Sequence, residues 1–308
     1  MKGLDLAEAY YREIGAPAIF ARFPACVHRI AAGLVGPGSE CFGFDDELSR
    51  DHDWGPGFCL WLDGEDYERF GSSLQEAYEE LPTTFGGFGP RLASPGEEGR
   101  TGVCGVVSFY RSYTGLDHAP RSLREWLAIP EQSLAVCTNG RVFHDPSGVF
   151  SEWRKALKGF YPRDVLLKKI ASRCVTIAQA GQYNFERSLK RGEHFTARYA
   201  ETKFCADVIS LVFLLNRRYA PFYKWMHRAL LDLPLLGRRI HGMIDDLSRE
   251  RDERVKGPMI EAMCALLVET LRREGLSDSQ SDFLLDHAHS VHARIEDTEL
   301  GARFFVVP

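Results

Sequence analysis

Gly36-Pro37-Gly38-Ser39-Glu40-Cys41-Phe42-Gly43, and then Ser49-Arg50-Asp51-His52-Asp53-Trp54-Gly55, is the segment from which the rest of the chain can be read. A glycine beside a serine at a helix start lets the backbone come close to a phosphate, whose charge is held by free N–H groups and the helix dipole. Residues two apart on a strand share a face, so Asp51 and Asp53 are expected side by side at the entry to a strand. Two carboxylates at that spacing suit Mg²⁺ that also contacts substrate phosphates. Such an ion would neutralise phosphate charge and help deprotonate an incoming hydroxyl. His52 points to the other face in this reading and is structural. Asp45, Asp46 and Glu47 read as a solvated acidic turn. A Gly-Ser pair and an Asp-x-Asp pair are each common alone, so their order and spacing carry the signal.

Upstream, residues 4 to about 34 read as two helices broken at Ile14-Gly15-Ala16-Pro17, the second running from Pro24 to near Leu34. Downstream, Phe58-Cys59-Leu60-Trp61-Leu62 is short, bulky and apolar, as a buried strand is. Residues 63–81 have the spacing of an amphipathic helix, and 82–102 form a Gly- and Pro-rich loop. Val103–Val107 is a strand candidate, and Ser122–Leu127 a helical turn. Asn139-Gly140, between Leu134–Thr138 and Arg141–Asp145, predicts a β-hairpin. Beyond about 150 the helical period dominates, with helices near 151–158, 163–190, 193–217, 221–231, 235–248, 255–274 and 278–290. Residues 303–307 read as an extended tail packed on the body. The expectation is an α+β fold: a mixed sheet with helices over 1–150, then an all-helical bundle over 151–308.

With 308 residues and 44% hydrophobic composition, the chain can build a large core, and the length favours two domains. A net charge of −5 is a poor match to a dedicated nucleic-acid binder. The 8 cysteines form no C-x-x-C pair and several sit in apolar runs, so they read as buried thiols of a reducing compartment. The acidic N-terminus lacks an apolar leader and no run is long enough to span a bilayer, so a cytoplasmic protein without membrane contact is expected. A homodimer is one open expectation, since the sequence is silent on oligomeric state. His287, His289 and His292 crowd one segment with no cysteine near and read as structural rather than metal-binding.

The run from Gly38-Ser39 to Asp51-His52-Asp53 resembles the Gly-Ser helix and Asp-x-Asp strand of the nucleotidyltransferase superfamily, which includes DNA polymerase beta and the kanamycin and streptomycin nucleotidyltransferases. More closely, the chain resembles a bacterial family of nucleotidyltransferase-like proteins of unknown function. That likeness extends to Phe109-Tyr110-Arg111-Ser112-Tyr113-Thr114-Gly115, Asn139-Gly140-Arg141-Val142-Phe143-His144-Asp145, Tyr183-Asn184-Phe185-Glu186-Arg187 and Leu214–Trp225. The resemblance implies a nucleotidyltransferase-type sheet, with Gly38 and Ser39 on the triphosphate and Asp51 and Asp53 on Mg²⁺ as the catalytic pair. It also implies a helical domain that closes over the nucleotide, for which Arg187, Lys224 and Tyr183 are the first candidates. The implied activity moves a nucleotidyl group, adenylyl from ATP first among them, to a hydroxyl of a small molecule or protein. The superfamily usually adds a third carboxylate on a neighbouring strand, and Gly102–Val107 carries none. Glu97, Glu98, Asp145 and Glu186 are the substitutes. The missing acid keeps open an alternative, a non-catalytic or degenerate nucleotide-binding or interaction protein on the same fold.

Overall fold

Ala31-Ala32-Gly33-Leu34, expected as the end of a helix, is the central strand β1 of the sheet, and all four residues are buried. Its small residues are the reason. A β-carbon on Gly33 would sit 2.5 Å from the Arg141 carbonyl oxygen of the neighbouring strand, so close strand approach, not helix propensity, selects them. A computed structural model of the chain describes residues 1–92, 100–302 and 307. Glu97 and Glu98, and residues 303–306 of the expected tail, lie outside the described residues. Val307 is described: it is buried, and its N–H donates to Ser172 Oγ at 2.9 Å.

The other strands are β2 (Cys59–Leu62), β3 (Gly102–Gly105) and β4 (Arg141–His144). The order is β3-β2-β1-β4, with β1 antiparallel to β2 and β4 and with β2 parallel to β3. Helices α1 (Gly3–Tyr10), α2 (Ala16–Arg22), α3 (Gly64–Glu79), α4 (Val106–Thr114), α5 (Leu123–Ala128), α6 (Glu131–Thr138) and α7 (Val149–Lys158) accompany them. A π-helical turn over Tyr11–Gly15 carries the chain from α1 into α2, so the expected break at Ile14–Pro17 is a change of pitch. Pro17 falls in the first turn of α2, just past the π-helical turn. The strand expected to reach Val107 stops at Gly105, and Val106 begins α4.

Asn139-Gly140 does not turn a hairpin. Leu134–Cys137 belong to α6 and are buried, and Gly140, at φ 61°, ends that helix in the left-handed region before β4. The four-residue apolar run looked like a buried strand because periodicity cannot separate the two over so short a span. Gly140 is also required by packing, since a β-carbon there would run into the Leu34 carbonyl.

The chain divides into two compact units: Met1–Arg121 with Ser133–Gly159, and Ser122–Gln132 with Phe160–Pro308. In the first unit Tyr10, Tyr11, Ile19, Ile30, Phe58, Leu60, Leu62 and Leu74 form an apolar cluster on the sheet. The second unit is helical among the described residues: α5, then α8 (Arg163–Ile177), α9 (Glu186–Lys190), α10 (His194–Leu215), α11 (Tyr223–Ala229), α12 (Gly237–Arg249), α13 (Glu253–Arg273), α14 (Leu284–His292) and α15 (Thr298–Gly301). Helix α8 is buried nearly all round, as the central helix of a bundle must be, and it packs on α10 and α14. The expected 163–190 helix is one rod whose middle, Ala178–Phe185, is π-helical. No described helix is long and apolar enough to cross a membrane.

Candidate functional site

Strand pairing brings the sequence motifs to one end of the sheet. Gly33 is opposite Cys59, so the bend leaving β1 and the segment entering β2 share an edge. Because β3 runs parallel to β2 with Gly102 opposite Cys59, Arg100 arrives at that edge too. Leu34 is opposite Arg141, which brings Asn139-Gly140 there from the other side. Four connections converge: Gly36–Ser39, Asp51–Phe58, Arg100-Thr101 and Asn139-Gly140.

The Gly36–Ser39 bend is fixed from outside by Asn139. Its Nδ2 donates to Gly36 O at 2.7 Å, and its Oδ1 accepts from Gly36 N–H at 3.2 Å. Arg154, itself buried, donates to the carbonyls of Cys137 (3.2 Å), Asn139 and Gly140 (3.2 Å). A guanidinium there answers the orphan carbonyls at the end of α6. Burial lowers its pKa, although the neighbouring Tyr110 works the other way.

Ser39 starts a 3-10 turn, Ser39–Phe42, of only four residues. Its N-terminal dipole is correspondingly small. Glu40 is buried with its carboxylate against Gly38, where a β-carbon would lie 2.5 Å from Oε2. Arg91 pairs with it, the two side chains being 10% and 3% exposed. Burial works against the Arg91 charge, but the Glu40 carboxylate outweighs it and the guanidinium pKa is raised. Arg91 Nε has no hydrogen-bond partner among the described residues.

Asp51 and Asp53 do not enter a strand. Leu48–Arg50 is a 3-10 turn, residues 51–53 are a bend, and β2 begins only at Cys59. Gly55-Pro56-Gly57 delays the strand, so strand alternation does not set the two side chains. Asp51 is 66% exposed, with its carboxylate 2.7 Å from His52 Nδ1. Asp53 is 6% exposed, and its Oδ2 lies 3.4 Å from Arg100 Nη1. Asp53 also has φ 51°, a left-handed backbone that costs a non-glycine residue about 1 kcal/mol or more and clusters at functional sites. Its N–H donates to Leu92 O at 2.7 Å, which holds it there.

The acidic run before it is structural in part. Asp45 is buried, accepting from Gly3 N–H (2.7 Å) and Trp54 Nε1 (3.1 Å) with Lys2 Nζ 3.4 Å away. Burial opposes its charge, but those donors hold its pKa below the ordinary value. Asp46 accepts from Ser49 N–H at 3.1 Å in an exposed turn.

Among the substitutes for a third acid, Asp145 accepts from Ser151 N–H at 2.7 Å, and Glu186 pairs with Lys190 at 3.1 Å in the second unit. Strand β3, Gly102–Gly105, carries no acid. No group of three or more His, Cys, Asp or Glu among the described residues is arranged to hold a metal. Two hard carboxylates still suit Mg²⁺, which takes few protein ligands and completes its shell with water and phosphate. Asp51 and Asp53 supply two carboxylates of the kind Mg²⁺ takes, one exposed against His52 and the other buried near Arg100.

Tyr183, Arg187 and Lys224 belong to the second unit. Arg187 lies over the Tyr183 ring, 4.5 Å from its centre, and Tyr183 is 50% exposed on the π-helical segment. Lys224 stacks on Trp225 at 5.0 Å. His287 is buried between Ser277 Oγ (2.8 Å) and Ser281 O (2.7 Å), a structural role. Sequence reasoning missed the Glu40–Arg91 pair and the work of Asn139 and Arg154. The signal for Glu40 was its place one residue after Ser39; Arg91 had none, being one cation in a loop read as mere connection.

A family model described as a domain of unknown function (DUF4037) matches residues 126–226. No curated protein and no solved structure matches the chain. The matched segment contains Asn139, Arg154, Tyr183, Arg187 and Lys224, and it excludes the Gly38–Asp53 run.

Proposed function

We propose that the chain is a metal-dependent nucleotidyltransferase, moving a nucleotidyl group, adenylyl first among the candidates, from a nucleoside triphosphate to a hydroxyl. One observation carries the reading: the Gly38–Ser39 bend follows β1, and the buried Asp53 lies near Arg100, just before β3, at the same sheet edge. In this reading the N–H groups of the bend hold the triphosphate. Asp51 and Asp53 would hold Mg²⁺, which would supply a Lewis acid for the developing phosphate charge. Arg100, beside Asp53, neutralises that carboxylate until the ion binds.

The test is incubation of the protein with α-labelled nucleoside triphosphates and cell extract, with and without Mg²⁺. Label should pass to a metabolite or protein only with Mg²⁺. Asp51→Asn with Asp53→Asn should reduce transfer by about a hundredfold or more, the scale of losing electrostatic stabilisation of the transition state. Transfer that survives the double substitution sinks the proposal.

A second reading rests on a specific observation. Strand β3 lacks an acid, which favours a nucleotide-binding protein without catalysis. It predicts nucleotide affinity with no transfer to any acceptor.

A further inference from the structure

Resting on the nucleotide reading above, we propose that Arg91 is a positioning residue that couples metal to nucleotide by tying one loop to both halves of the site. The loop is Phe85–Leu92, read from sequence as a bare connection. Its turn is closed by Phe85 and Phe88, whose N–H groups donate to each other's carbonyls at 3.1 and 2.9 Å. At its end two adjacent residues reach in different directions. The Arg91 guanidinium goes to Glu40, whose carboxylate lies against Gly38. The Leu92 carbonyl accepts from Asp53 N–H at 2.7 Å, holding the left-handed residue. Two adjacent residues thus bridge the proposed phosphate bend and the proposed metal ligand.

Other contacts stiffen the bridge. Trp54 meets Phe88 edge-on at 5.1 Å, and Arg50 lies over both rings, 4.9 and 5.6 Å from their centres. Gly55, at φ 142°, lets the backbone of Arg91 pass: a β-carbon there would be 3.2 Å from Arg91 N and Cα. Glu40 is the Arg91 anchor, and Nε has no second partner among the described residues to substitute for it.

The spacing matters because Mg²⁺ demands near-octahedral geometry at about 2.0–2.1 Å, so carboxylate and phosphate oxygens must be registered closely. A loose bridge leaves each half intact but spoils their joint hold on the ion. The quantity that reports this is a coupling: the ratio of ATP dissociation constants without and with Mg²⁺. A residue that only stabilised the fold would lower the melting temperature and leave the ratio alone.

The experiment is calorimetric titration of the full chain with ATP, in EDTA and in Mg²⁺, with melting temperatures recorded alongside. For the wild type a ratio of about tenfold or more is expected. In Arg91→Met it should fall to about one or two, while the EDTA dissociation constant moves less than about threefold. Arg91→Lys should recover part of the ratio. Glu40→Gln should lower it, and it carries the test if Arg91→Met fails to fold. Lys256→Met is the control. It breaks another well-covered ion pair, with Glu201 at 2.7 Å and side chains 13% and 14% exposed, in the second unit. Its melting temperature should fall and its ratio should stay at the wild-type value. An unchanged ratio in Arg91→Met and Glu40→Gln, or an equal loss in Lys256→Met, overturns the inference and leaves the nucleotide reading standing. A wild type that binds ATP without regard to Mg²⁺ overturns both.

Discussion

At the residue scale, Glu40 and Arg91 are buried together, and a buried charge deprived of its partner is costly. Glu40→Ala should lose about 3–5 kcal/mol in denaturant unfolding, because Arg91 stays buried and unpaired. A loss below about 1 kcal/mol would mean that the guanidinium escapes to water. Asp45 gives a pH signature. Its native pKa is held below the ordinary 3.8, so its stabilisation is present above that value and is lost as pH falls through the native one. The gap in melting temperature between wild type and Asp45→Asn should therefore shrink from about pH 6 to about pH 3. A gap that persists at low pH would show that packing, not charge, makes the difference. The candidate residues were legible in the sequence at this scale where chemistry is local. Gly38, Ser39, Asp51 and Asp53 stand out by type and spacing. Arg91 does not, because its partner is 51 positions away and only the fold brings them together.

At the element scale, the bend after β1 depends on a side chain 103 positions further along the chain. Asn139→Ala removes both bonds to Gly36 and should cost about 1–3 kcal/mol, with amide exchange quickened at Gly36. Unchanged exchange there would show that the bend holds itself. The helices of the second unit were readable because a 3.6-residue period over fifteen or more positions is a strong signal, as α13 illustrates. The sheet was harder. β1 is built from alanine and glycine, residues chosen for close approach, and alanine also favours helix. Leu134–Cys137 misled in the opposite sense, since a fully buried helix end carries no alternation. The Asp-x-Asp pair was placed on a strand because Gly55-Pro56-Gly57 was read as a bend inside the strand; it is the reason the strand starts later.

At the scale of the whole molecule, the change of texture near residue 150 marks where helices take over, yet the chain passes between its two units at Arg121, Gln132 and Gly159. Composition cannot reveal such a return. Its consequence is testable. Glu131 accepts from Ser210 Oγ at 2.9 Å and from Ala220 N–H at 3.1 Å, so a fragment of residues 160–308 lacks a twice hydrogen-bonded carboxylate of its own unit. That fragment should melt below one to which 122–132 is fused, and equal melting would make the segment a mere connector. Lys169 sets a pH dependence in the same unit. Burial pushes its ammonium down from 10.5 to about 8, against the pull of Glu131. Between about pH 8 and 10 the unfolded chain binds the extra proton, so this residue makes stability rise with pH, and Lys169→Met should flatten that slope. A slope unaltered in the variant would assign it to other groups. The proposed function turns on whether the Gly38–Ser39 bend and Asp53 share one ligand, and a structure with Mn²⁺ and a non-hydrolysable ATP analogue tests this most directly. Anomalous density for the ion at Asp51 and Asp53, with the phosphates on the Gly38–Ser39 N–H groups, is the predicted result. Nucleotide bound elsewhere, or metal density away from both carboxylates at saturating ligand, would contradict it.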